Sequence, residues 1–186
     1  MQVPRRSSID ESAFHEILGR AFATEGVDKM EGLNNGDAFP KFELPVVGGG
    51  RLVLPDDLAG SYAAVLAYRG SWCGFCNAHL ASFQEAMPRL TEAGIAVVAF
   101  SVDDGAHAKE TVDRHGLTFP IGYGVDLEEM AMLLRGYINR DRGVLEASNF
   151  LLTPDGRIEV AVYSSKTIGR LVPDDVITYV NRQRSR

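Results

Sequence analysis

Apolar positions along the chain alternate between short unbroken runs and helically spaced stripes, which predicts strands and helices in turn. The clearest buried strands are predicted at 63–68 and 95–102, where the apolar run is continuous. Helices are predicted over residues 78–93, 105–115, 127–137 and 174–181. Pro88 lies late in the first of these helices and is expected to bend it.

Two further pairs of apolar runs enclose turn residues and predict β-hairpins. The first pair covers residues 42–46 and 51–54 around Gly48–Gly50, and prolines at its margins favour a sheet edge. The second pair covers 149–153 and 157–163 around Pro154-Asp155-Gly156, a turn sequence.

The N-terminal segment predicts one more helix. Ser8 and Glu11 have the spacing of a capping box, and an apolar stripe follows at Phe14, Ile17, Leu18, Ala21 and Phe22. We expect this helix to pack on the domain, although the same stripe also suits a helix-mediated homodimer. A polar connector follows. The chain is therefore divided into a helical extension with its connector, residues 1–33, and one main domain, residues 34–186.

The order of elements predicts the fold class. The strand–helix–strand unit between Ala63 and Val102 should cross over right-handed and place its strands parallel. The later hairpin adds antiparallel strands. The prediction is an α/β fold with a central mixed β-sheet flanked by helices on both faces, extended by an N-terminal helix and a β-hairpin.

Composition excludes several classes of protein. The chain has 186 residues and a formal net charge of −6, which argues against a broad nucleic-acid surface. No apolar stretch approaches the roughly 18 residues that span a bilayer. Arg5 and Arg6 are followed by polar residues instead of the apolar core of an export signal. We therefore predict a cytoplasmic protein without nucleic-acid or membrane partners.

The only two cysteines, Cys73 and Cys76, form a C-x-x-C motif at the predicted strand-to-helix junction. A crosslink across so short a loop restrains little of the unfolded chain, so a purely structural disulfide is a weak explanation. A helix N-terminus favours a thiolate at Cys73, and Cys76 lies one turn away on the same face. The spacing predicts an attacking and a resolving cysteine. Two inert buried thiols and a zinc site are the alternatives, although structural zinc normally takes four ligands.

The motif WCGFC, residues 72–76, resembles the active site of thioredoxins, with Phe75 in place of a proline. A wider similarity, to the peroxiredoxin-like family (alkyl hydroperoxide reductase/thiol-specific antioxidant), covers about residues 34–183. It rests on residues 36–45, 68–73, 97–102, 117–120 and 150–156. The resemblance implies a thioredoxin fold and thiol redox chemistry, with Cys73 attacking and Cys76 as its partner. No metal or cofactor is expected.

The chain departs from both families at known positions. Typical peroxiredoxins carry a proline and a threonine where this chain has Leu66 and Gly70, and an arginine where it has Ala147. The cis-proline of thioredoxins is also missing before residue 150. Two functions stay open: reduction of hydroperoxides, with a thioredoxin-type protein or a small thiol as reductant, and disulfide exchange with proteins.

Several nearby residues are candidates for supporting roles. Arg69 is placed to steady a thiolate or an oxyanion, and Trp72 to shape a substrate surface. Ser148 and Asn149 are candidates for hydrogen bonds to a substrate. An ordinary structural role is the alternative for each of them.

Three more residues have weaker signals. His79 extends the motif to C-x-x-C-x-x-H, which allows a metal-binding carrier or a proton-transfer role, but a packed or solvated histidine is the favoured interpretation. Arg140 and Arg142 are candidates for the cationic group that Ala147 does not supply.

Overall fold

The computed structural model describes residues 32–185. The strands are β1 Phe42–Pro45, β2 Arg51–Leu54, β3 Tyr62–Ala67, β4 Ile95–Phe100, β5 Ile121–Gly122, β6 Ile138–Asn139, β7 Val144–Leu145, β8 Ser148–Leu152 and β9 Ile158–Tyr163. The helices are α1 Gly74–Glu92, α2 Gly105–His115, α3 Leu127–Leu134 and α4 Pro173–Arg184, with a 3₁₀ turn at Asp56–Leu58.

The central sheet has five strands in the order β5–β4–β3–β8–β9. Strands β3, β4 and β5 run parallel, whereas β8 and β9 are antiparallel. The predicted mixed sheet is confirmed. At the end of β3, Ala67 pairs with Phe100 on one side and with Ser148 on the other. The start of β8 is therefore held beside the turn that leads from β3 into α1.

Alternate residues of β3 feed two hydrophobic cores, one on each face of the sheet. Ala64 and Leu66 pack in the core that includes α1, α2 and α4. Ala63, Val65 and Ala67 pack in the core that includes α3 and the β1–β2 hairpin. Covering both faces makes the strand a continuous apolar run, which is the signal that predicted it. Helices on both faces are thereby confirmed.

Helix ends explain most differences from the predicted bounds. Helix α1 begins at Gly74 because Cys73 is its N-cap, so the redox motif belongs to the helix and does not precede it. Helix α3 ends at Leu134 instead of residue 137, since Arg135 turns left-handed with φ of 53°. The prediction for α2 matches its observed bounds, with Asp104 accepting from the His107 amide at one end and left-handed Gly116 at the other.

The short strands were not predicted. Strands β5, β6 and β7 have two residues each, too few to show an alternating pattern. The predicted hairpin β1–β2 forms its own two-stranded sheet, and Val46 bridges Gly122 at the β5 edge.

The predicted N-terminal helix lies outside the described residues, and the division of the chain near residue 33 stays a prediction. Within residues 32–185, no helix is long and apolar enough to cross a membrane.

Candidate active site

The two cysteines lie in the first turn of α1, where it leaves the edge of the sheet. Cys73 caps the helix and Cys76 is in the first turn, and both side chains are buried. Both thiols are free, with the Cys76 thiol donating to the Cys73 sulfur and the two Sγ atoms 2.7 Å apart. A disulfide has an S–S length of about 2.05 Å, so a small movement would join them. The pair is a reduced dithiol poised to close.

The turn before Cys73 requires glycine at position 70. Gly70 has a φ of +144°, and a Cβ there would lie 2.7 Å from Trp72 Nε1 and 2.9 Å from Asp103 Oδ1. Asp103 also fixes this turn because its Oδ2 accepts from the Ser71 amide at 2.7 Å. Burial raises the pKa of the Asp103 carboxyl. A threonine, which typical peroxiredoxins carry at this position, would collide with both neighbours.

Arg69 and Glu146 form a buried ion pair beside Cys73. Arg69 Nη1 lies 4.0 Å from Cys73 Sγ, the outer limit of a hydrogen bond to sulfur. Arg69 Nε lies 2.9 Å from Glu146 Oε2, an ion pair without a well-aligned hydrogen bond. The other Glu146 oxygen accepts from Asn139 at 3.1 Å. The sequence identified Arg69 as a candidate but missed its carboxylate partner, which lies 77 positions along the chain.

The surroundings of Cys76 are different. Its sulfur accepts from the Arg69 backbone amide at 3.4 Å and from Arg170 Nη2 at 3.3 Å. Burial, together with the hydrogen bond that its thiol donates to Cys73, raises the pKa of Cys76 to about 11, and the contacts with Arg69 and Arg170 oppose that shift. Arg170 was missed by the sequence analysis, because it is 94 residues from Cys76 and has no local motif.

The segment that carries Arg170 is fixed at Leu171. The Leu171 amide donates to Asn149 Oδ1 at 3.1 Å, and its carbonyl contacts His79 Nε2 at 2.8 Å. Arg170 Nη1 also donates to the Thr167 carbonyl at 2.5 Å. Asn149, a residue of β8, is therefore buried against this segment and is not exposed to an open cleft. Ser148 is fully buried too, with its hydroxyl donating to the Glu146 carbonyl. Both residues position the chain around the cysteines.

His79 is a packed histidine, as the favoured interpretation held. Its ring meets Phe83 edge-on at 5.1 Å, and burial lowers its pKa to about 4. Its Nε2 is engaged by the Leu171 carbonyl. Among the described residues, no group of three or more histidine, cysteine, aspartate and glutamate side chains is placed to hold a metal ion.

Of the two candidate arginines, Arg142 and Arg140, only Arg142 contacts Trp72. Arg142 lies over the Trp72 ring at 4.6 Å and Arg69 lies 5.0 Å from the same ring. Arg140 instead pairs with Glu128 at the surface, 2.5 Å away, which raises its pKa. Trp72 and Phe75 are 46% and 57% exposed, so the dithiol is buried next to an open aromatic rim.

Comparison with known proteins identifies the family. The AhpC/TSA family model matches residues 35–161. The chain belongs to this family. A Mycobacterium tuberculosis protein whose name assigns it to the peroxiredoxins is 30% identical over 148 residues, which cover 77% of this chain and 93% of the relative.

Another relative carries a different kind of name. The thiol-disulfide oxidoreductase ResA of Oceanobacillus iheyensis is 26% identical, over 73% of this chain and 68% of its own. Among solved structures, Enterococcus faecalis AhpC superimposes with a TM-score of 0.71 at 19% identity, over 83% of this chain and 94% of its own. That likeness confirms the thioredoxin-like fold of peroxiredoxins. Taken together, the relatives support thiol peroxidase chemistry more strongly than thioredoxin-like exchange.

Proposed function

We propose that this AhpC/TSA protein is a thiol peroxidase that reduces hydroperoxides through a reversible disulfide between Cys73 and Cys76. The observation that carries the proposal is the reduced dithiol, 2.7 Å apart at a helix N-terminus, with a guanidinium beside each sulfur. Family membership supports the reaction, and the arrangement supports the roles of the two cysteines.

Cys73 is the attacking residue in this proposal. Its thiolate attacks the terminal oxygen of the hydroperoxide, the O–O bond breaks, and the alkoxide or hydroxide takes a proton to leave as alcohol or water. Cys73 is then a sulfenic acid. The N-terminus of α1 and the Arg69 guanidinium both lie beside this sulfur. Arg69 thus supplies a cation near Cys73, whereas Ala147 stands at the position where typical family members carry an arginine.

Cys76 completes the cycle. Its sulfur attacks the sulfenic sulfur of Cys73, the disulfide forms, and hydroxide leaves to become water. A thioredoxin-type protein or a small thiol then restores the dithiol. A cytoplasmic location, where such thiols are kept reduced, is part of the proposal.

Trp72, the only tryptophan, offers a direct test because it adjoins Cys73. Reduced protein is mixed with excess hydrogen peroxide, and fluorescence is followed at several concentrations. We expect a second-order rate orders of magnitude above that of an ordinary thiol. Cys73→Ser should abolish it. Cys76→Ser should keep the first phase and stop before disulfide formation. A wild-type rate no faster than a free thiol's would contradict the proposal.

Disulfide exchange with a protein substrate is the second candidate, favoured by the match to ResA and by the exposed rim of Trp72 and Phe75. It predicts that Cys76→Ser traps a mixed disulfide with a disulfide-containing protein. A peroxidase without exchange activity would give no such adduct.

A further inference from the structure

Arg170 is a cation whose guanidinium donates to the sulfur of Cys76. Its Nη2 lies 3.3 Å from Cys76 Sγ, and its Nε is buried without a hydrogen-bond partner. No carboxylate of residues 32–185 forms an ion pair with it, in contrast to Arg69, which has Glu146. Among the described residues, a thiolate on Cys76 would thus be the negative charge that faces this guanidinium.

We propose that Arg170 stabilises the Cys76 thiolate and thereby sets the rates at which the disulfide forms and is reduced, whereas Arg69 serves Cys73. This inference rests on the proposed function and deepens it, because it divides the peroxidase cycle between two guanidinium groups. Arg170 touches a reacting atom and is in that sense a catalytic residue.

A negative charge develops on the Cys76 sulfur both when the disulfide forms and when it is reduced. When the disulfide forms, the Cys76 thiolate attacks the sulfenic sulfur of Cys73 and the S–O bond breaks. The leaving hydroxide takes up the proton that the Cys76 thiol has lost and becomes water. When it is reduced, the reductant's thiolate attacks Cys73 Sγ, the S–S bond breaks, and the electron pair moves onto Cys76 Sγ. The buried Cys76 sulfur has little access to water, so its negative charge depends on the donors that face it.

Those donors are set in place before the reaction. Leu171, next to Arg170, is held by Asn149 and His79 from two different elements. Arg170 is held further by the Thr167 carbonyl. A guanidinium fixed in this way loses little side-chain freedom when the thiolate appears. Asn149 is in consequence a positioning residue for Arg170.

The test uses Arg170→Met and Arg170→Lys, with Lys166→Met as the matched control. Lys166 is an exposed cation of the same connecting segment, so its removal changes net charge equally. Reduced protein receives one equivalent of hydrogen peroxide, and a dimedone probe traps sulfenic acid over time. Separately, the disulfide is prepared with diamide, and its reduction by dithiothreitol is followed through Trp72.

We expect disulfide formation and dithiothreitol reduction to slow about tenfold or more in Arg170→Met, because a charge-assisted hydrogen bond to the thiolate is lost. Trapped sulfenic acid should accumulate in that variant. Arg170→Lys should recover part of both rates, and Lys166→Met should match the wild type. A merely structural role for Arg170 would not slow both disulfide steps while the lysine variant rescues them.

Unchanged rates and no added sulfenic acid in a folded Arg170→Met protein would overturn the inference. The diamide and dithiothreitol arm needs no peroxide, so it separates the two proposals. If the wild type fails to react with peroxide but Arg170→Met still slows reduction, the proposed function is wrong and the role of Arg170 stands.

Discussion

Cys73 and Cys76 are one helical turn apart, but their guanidinium partners reach them by different routes. Arg69 is four residues before Cys73 and is neutralised by Glu146, so the strand–helix turn largely builds that side of the site. Arg170 comes from the segment between β9 and α4 and has no carboxylate partner within residues 32–185. The cation beside Cys73 thus comes from the local sequence, although its carboxylate partner does not, whereas long-range packing supplies the cation beside Cys76.

The largest expected effect is a loss of stability when the buried ion pair beside Cys73 is broken at Glu146. Both members of its ion pair with Arg69 are more than nine-tenths buried, so Glu146→Gln leaves a cation in the core without compensation. We expect unfolding free energy to fall by about 4 kcal/mol, measured by urea denaturation.

The matched control for that variant is Glu128→Gln, which removes the exposed pair with Arg140. Here we expect a loss below about 1 kcal/mol, because solvent screens exposed ion pairs. Equal losses in the two variants would mean that the buried pair does not hold Arg69 in place.

The next prediction concerns stability at low pH and tests His79, which binds Leu171 next to the Arg170 that contacts Cys76. Its pKa falls from 6.5 to about 4 in the folded protein because burial disfavours the charged ring. The unfolded chain therefore binds a proton first, and the stabilisation present above pH 6.5 is lost as the pH falls toward 4. Linkage sets the loss at up to about 3 kcal/mol. His79→Gln should flatten this part of the stability–pH curve in urea titrations at pH 7, 5.5 and 4. If stability in His79→Gln falls with pH as steeply as in the wild type, groups other than His79 cause the acid sensitivity.

The smallest effect is expected at the rim. Arg142→Gln removes one cation from the Trp72 ring, worth about 0.5–1 kcal/mol at an exposed site. Trp72 emission should change, while peroxide reactivity stays within about twofold. Arg140→Gln should leave the emission unaltered, because Arg140 pairs with Glu128 instead. A large loss of peroxide reactivity in Arg142→Gln would make Arg142 the missing family cation.

Long apolar patterns predicted the fold well because each had a single packing solution. The β3 run and the α1 stripe are long enough to define a strand and a helix, and α1 packs on one face of the sheet that contains β3. The two-residue strands β5, β6 and β7 were missed, because tertiary pairing and not local pattern defines them. Arg135 shows the same limit, since a left-handed residue other than glycine has no sequence signal.

The site could be predicted only where chemistry is local. Cys73, Cys76, Trp72 and Arg69 fall within eight residues, so spacing alone drew attention to them. Glu146 and Arg170 are placed by the sheet register and by the packing of Leu171. The sequence predicts that Ser148 and Asn149 bind a substrate, whereas β8 lies between β3 and β9 and both residues are buried.

The 2.7 Å between the two sulfurs also bears on how such a protein would endure high oxidant levels. To form the disulfide, the two Sγ atoms need to approach each other by only about 0.7 Å within one helical turn, without unwinding of a segment. In the proposed cycle, a short approach of the sulfurs favours disulfide formation over a second reaction of the Cys73 sulfenic acid with peroxide, which would give the irreversible sulfinic state. The compact turn would thus protect the protein from inactivation by its own substrate.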